Sequence, residues 1–180
     1  MPHSAALPFN FKRSQDVIGA ASITSTTETV HGLLRLDGDR LVIQWRLARK
    51  TDHIGSEIRT DQELEAVREV VVPLEAVAGA FLRRPWLGVF GAPRLILTAA
   101  DLQAFEAVAG EGGLRLKHPA ELAVRVRRLD RLLAEEFAAE LVLAVAERAL
   151  EAHEDRMALR EGSSSKENGG ESISYAPSSE

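Results

Sequence analysis

Apolar and polar positions alternate along much of the chain, and a 3.6-residue period takes over near Asp130. Residues 30–36 (Val-His-Gly-Leu-Leu-Arg-Leu) read as a short strand that ends at Asp37-Gly38-Asp39. Residues 41–47 (Leu-Val-Ile-Gln-Trp-Arg-Leu) read as the next. An Asp-Gly pair between two such runs predicts a tight hairpin, because glycine tolerates the backbone that the turn needs. The polar stretch 48–65 reads as a long loop. Thr60 and Glu63 stand at capping distance within it, but only about one turn of apolar residues follows. A β-branched run over 67–74 stops at Pro73, and residues 77–83, 94–98, 114–117 and 122–127 complete the strands. A loop holding Trp86 and Phe90 lies between 77–83 and 94–98, and after 94–98 come one or two helical turns capped by Asp101. Seven strands with short connections exclude a parallel βαβ sheet and predict an antiparallel sandwich or barrel.

The pattern predicts a single long helix over about 130–159, with Asp130 as its cap and Gly162 as its stop. Leu133, Phe137, Leu141 and Ala144 share one face. Leu132, Leu143, Ala146 and Leu150 lie round the opposite side, leaving a narrow acidic strip of Glu136, Glu140, Glu147, Glu151 and Glu154. A helix that plugs one core needs an apolar arc of roughly 100°, and this one spans more than twice that. Two opposed faces imply two contacts. Leu132, Leu143, Ala146 and Leu150 are therefore the candidate partner face, most simply for a twofold homodimer, with the amino-terminal arm as the other possible cover. The ends lack a sustained period. Residues 1–28 read as an arm that could add one strand, 29–160 as the domain, and 161–180 as a Ser/Gly-rich disordered tail.

Seven antiparallel strands followed by one helix resemble the pleckstrin-homology-like (PH-like) fold. Bacterial domains of that superfold have a similar texture. A strand enters Val72-Pro73-Leu74-Glu75-Ala76-Val77, the next ends at Arg83-Arg84, Arg94-Leu95-Ile96-Leu97 follows, and Asp101-Leu102-Gln103-Ala104-Phe105 makes a short turn. The resemblance covers roughly residues 29–150. It implies a barrel of two nearly orthogonal sheets with the helix plugging an open end. Phe137 stands where many members carry a tryptophan in the last helix. The acidic turn Asp37-Gly38-Asp39, flanked by Arg35 and Arg40, replaces the basic first hairpin of phosphoinositide-binding members, so that ligand does not transfer.

Charge sharpens the picture. The net charge of -5 argues against a nucleic-acid binder, but residues 78–131 carry 9 basic and 5 acidic groups while 132–180 carry 4 and 11. Arg125, Arg127, Arg128 and Arg131, joined by Arg83 and Arg84 if their strands are close, form a candidate anion-contact face for anionic lipid or acidic protein. The competing reading is a solvated face whose arginines pair with acids such as Glu121. The acidic carboxy-terminal segment opposes a membrane contact unless it points away.

Little else carries chemistry. There are no cysteines, and His3, His31, His53, His118 and His153 are scattered, so no metal or cofactor site is predicted. Asp37 and Asp39 read as a solvated turn, and the glycines around Glu111 precede a strand, whereas a phosphate cradle precedes a helix. Ser163–Ser165 have no base at hand, and the paired acids Glu135 and Glu136 read as helix surface. No catalytic residues are assigned, and an enzyme is the third choice. The longest apolar run, residues 141–146, falls far short of a span, and the amino terminus lacks a signal pattern, which together predict a cytoplasmic protein. The expected function is a non-enzymatic protein-interaction or self-association module. The alternative is a peripheral membrane-surface module using the arginine-rich strands.

Overall fold

The computed structural model describes residues 5–19, 22–55, 57–84, 91–109, 114 and 116–167, with side chains as far as residue 158. Its strands are β1 (Ala6–Ile18), β2 (Ile23–Asp37), β3 (Arg40–Ile54), β4 (Ile58–Leu64), β5 (Arg68–Pro73), β6 (Val77–Arg83), β7 (Arg94–Ala99) and β8 (Glu121–Arg125). A single turn α1 (Glu106–Ala109) precedes β8, and α2 (Arg131–Glu167) follows it. The protein is mainly β with one carboxy-terminal helix. Its strands form two antiparallel sheets, and neither closes.

The first sheet runs β1-β2-β3, and β3 is long enough to pair with two further strands. Its residues 40–45 meet β5 and its residues 48–54 meet β4. Between these the N–H of Glu65 still donates to the carbonyl of Leu47, so β4 and β5 act as one interrupted strand. The predicted hairpin at Asp37-Gly38-Asp39 is present: Asp37 faces Arg40, and Gly38 takes φ 60° at the first central position. The near half of the sheet alternates cleanly. Leu7, Phe9, Leu34, Leu36, Leu41, Ile43, Trp45, Leu47 and Val72 all enter the core. Gly32 faces Phe9 across the ladder, and a Cβ there would sit 2.1 Å from the ring. Glycine is what lets that ring lie flat on the sheet.

The second sheet is β6-β7-β8. A 3₁₀ turn at Leu74–Ala76 carries the chain from β5 round the corner into β6, and its first N–H donates to the carbonyl of Asp39. Leu95, Leu97, Leu122 and Val124 face the first sheet, while α2 lies against β6 and closes the core with Ala134, Phe137, Ala138, Leu141 and Ala144. On the far side β1 approaches β8 without a ladder between them.

Several expectations are corrected. Residues 6–18 are a full strand in register with β2, so the domain starts well before residue 29, and Leu7 and Phe9 belong to the core. The stretch 48–65 is half of β3 and all of β4 rather than a loop. Every residue of β4 is exposed, so no buried face imposes an apolar alternation there. The described strands number eight, and they do not confirm a seven-stranded barrel. Of residues 114–117, Leu114 is buried but no described residue is in a strand. Asp130 stands in a 3₁₀ turn with its carboxylate held by Arg127, rather than free to cap α2. Leu133, assigned to the core face, is 39% exposed. The helix continues through Glu167, past both Gly162 and the predicted start of the tail. The loop holding Trp86 and Phe90 and the glycines around Glu111 lie outside the described residues, as do residues 168–180.

Candidate functional site

Two surfaces emerge from this frame, and the first is basic. Cross-strand register places Arg83 opposite Arg94 and Arg94 opposite Arg125, so three arginines form one row on the outer face of the second sheet. Neighbouring strands are about 4.8 Å apart, and like charges directly opposite repel. Among the described residues none of the three makes an ion pair, although most arginines do. The row therefore carries an uncompensated positive field within a chain of net charge -5.

Of the six arginines assigned to an anion face, only Arg83 and Arg125 are in this row. Arg84 and Arg131 both bond Glu135, at 2.9 and 3.1 Å. Those two hydrogen bonds, from Arg131 and then Arg84, hold the Glu135 carboxyl below its ordinary range. Arg127 is clamped by both carboxylate oxygens of Asp130, which raises its pKa. Arg128 donates to the carbonyl of Gly91. The side chains that continue the basic face are instead Arg94, Lys12 and Lys117. Sequence distance hid them, because they meet only where β1 lies against β8. There a cleft of about 240 Å³ is lined by Phe11, Lys12, Arg13, Arg94, Lys117, Glu121, Ala123 and Arg125. Five cations face one carboxylate in it, and Glu121 forms an ion pair with none of them.

A charged ladder borders this cleft. Arg13, Glu28, Arg49 and Glu63 are register partners across β1 to β4, and Glu28 accepts from both Arg13 and Arg49. Burial pushes the Glu28 carboxyl up, but the two guanidinium bonds outweigh it and its pKa is lowered. The Nη1 of Arg13 is shielded from solvent and has no partner.

The second surface is on α2. Leu132, Leu143 and Leu150 are 76, 52 and 63% exposed, and Ala146 is exposed beside them. Ala139 and Met157 extend the stripe as two interleaved seven-residue series, 132/139/146 and 143/150/157. Ala144 is the last buried residue among the described side chains, so residues 146–158 add none to the core.

Among the described residues, no three of His, Asp or Glu gather so as to hold a metal ion. No helix among them is long and apolar enough to cross a membrane. Compared with protein-family models, with curated proteins and with solved structures, the chain matches none.

Proposed function

We propose that the protein is a non-enzymatic, PH-like interaction module that self-associates through α2. The observation that carries this reading is the exposed stripe Leu132, Ala139, Leu143, Ala146, Leu150 and Met157, two interleaved series that each follow a seven-residue period. That period is the seam of a two-stranded coiled coil. The helix residues beyond Ala144 number 23, and a helix of that length in water takes little stability from propensity alone. A second copy of α2 would bury the stripe and support the projecting turns. The PH-like reading rests on the order of elements and on the helix packed across β6.

Light scattering at tens of micromolar tests the proposal. The native chain should have the mass of a dimer, and Leu143→Glu should give a monomer with an unchanged β-type circular dichroism spectrum. A native chain that is monomeric at that concentration overturns it.

A second reading is favoured by the unpaired row Arg83, Arg94 and Arg125: peripheral contact with an anionic membrane surface. Each basic residue near such a surface contributes about 1 kcal/mol. Co-sedimentation with vesicles containing phosphatidylserine at low salt, lost with Arg83→Glu and Arg125→Glu together, is the expected outcome. Equal recovery with neutral vesicles counts against it.

A further inference from the structure

We infer that the cleft between β1 and β8 is a binding site for a phosphorylated ligand, held through a diphosphate or a similar pair of phosphate groups. The inference rests on the arginine face of the membrane reading, but it is narrower, because it assigns a pocket with a defined chemistry. Three observations carry it. Arg94 and Arg125 are direct register partners and both line the cleft, with Arg83 next to Arg94 in the same row. Lys12 from β1 and Lys117 from the segment before β8 complete a ring of cations drawn from both sheets. Neither lysine forms an ion pair among the described residues. Finally, Arg13 also lines the cleft, and its Nη1 is shielded with no hydrogen-bond partner among the described residues.

The donor chemistry selects the ligand. Guanidinium groups bind phosphate by paired N–H donors, and ammonium groups bind it as point charges. Arg94 and Arg125 on paired strands put two such forks side by side, which suits two neighbouring phosphate groups better than a single carboxylate. Each phosphate monoester brings a charge of about -1.5 to -2, enough to offset two neighbouring arginines. Phe11 and Ala123 give the cleft an apolar wall for the rest of the molecule. Glu121, the one carboxylate, would repel a phosphate placed against it and so confines the anion to the Arg94–Arg125 end.

The probes are inorganic pyrophosphate and citrate in titration calorimetry at low salt, and vesicles of phosphatidylcholine with phosphatidic acid. Pyrophosphate should bind with one site per chain. Arg94→Gln or Arg125→Gln should weaken it about tenfold or more, the loss expected for one charged hydrogen bond. Arg127→Gln removes the same charge from an arginine already clamped by Asp130, and should leave binding within about twofold of native. Citrate should bind about tenfold more weakly than pyrophosphate if phosphate geometry matters beyond charge.

Absence of saturable pyrophosphate binding overturns the site. So does an Arg127→Gln loss equal to that of Arg94→Gln, or equal affinity for citrate, since either outcome means a diffuse field. The vesicle arm identifies the source of the phosphate. Vesicle binding that pyrophosphate competes away supports the site and puts the phosphate on a lipid headgroup. Pyrophosphate binding with no vesicle binding supports the site with a soluble ligand and overturns the membrane reading. Vesicle binding without pyrophosphate binding overturns the site and leaves the membrane reading standing.

Discussion

Glu28 shows how one side chain can hold the edge of a sheet. Its carboxylate sits between Arg13 and Arg49, is 17% exposed, and accepts a hydrogen bond from each. Arg49 reaches on to Glu63 and Glu65, and Arg68 bonds Glu65, so the charges run across four adjoining strands. The Glu28 pKa is lowered in the fold: burial raises it, and the two arginine bonds more than reverse that. A depressed folded pKa means stability that is full above the ordinary carboxylate range and is lost as pH falls through the folded value. Glu28→Gln should therefore be destabilising at pH 7, by about 1–2 kcal/mol after allowing for solvent screening. The gap between variant and native should shrink as pH falls below about 4. Urea midpoints measured at pH 7, 5 and 3.5 check this, and a gap that does not change with pH would contradict the assignment.

At the scale of elements, β2 and β3 each have two different halves. The near half buries Val30, Leu34, Leu36, Leu41, Ile43, Trp45 and Leu47. The far half, residues 23–29 and 48–54, is held by threonine and charged pairs such as Thr60 on Asp52 and Lys50 on Asp52. These bonds hold the Asp52 carboxyl below its ordinary range, the Lys50 bond first. At the tip Ile18, Ile23, Ile54 and Ile58 form one cross-strand row, an apolar clasp on otherwise polar strands. Cross-strand pairs of this kind contribute only about 0.2–1 kcal/mol each. Amide hydrogen exchange should therefore be much faster in the far half of β2 and β3 than in the near half, with the change falling near Thr29 and Ala48. Uniform protection along both strands would show that the whole hairpin opens as one unit. The polar pattern of residues 48–65 hid these strands in the sequence, because alternation is legible only where one face is buried. The helix is the opposite case: spacing alone puts Leu133, Phe137, Leu141 and Ala144 on the core face, and all but Leu133 are buried.

At the scale of the molecule, the stability of a self-associating chain depends on its concentration. If α2 pairs with a second copy, the native Tm should rise with protein concentration across about two decades, since association stabilises only the folded chain. Leu143→Glu should remove that dependence while leaving a single cooperative transition. A native Tm independent of concentration by differential scanning fluorimetry would contradict the proposal and leave α2 as a solitary projecting helix.

The sequence by itself determined the local outcomes. Strand periodicity fixed the near halves of β2 and β3, Asp37-Gly38-Asp39 fixed the turn between them, and the 3.6-residue period fixed α2 and its core face. Each of these follows from neighbours within a few residues, where side-chain direction repeats with the backbone. Tertiary structure alone decided which cations remain uncompensated. Arg84, Arg127 and Arg131 are as basic as Arg83, Arg94 and Arg125, but the fold brings the first three within reach of Glu135 and Asp130. It sets the other three in a row with no acid partner, and it brings Lys12 more than 80 positions along the chain to the same cleft. Pairing between charges depends on distances of a few ångströms, and those distances are set by sheet register and by the meeting of β1 with β8, which no short window of sequence contains.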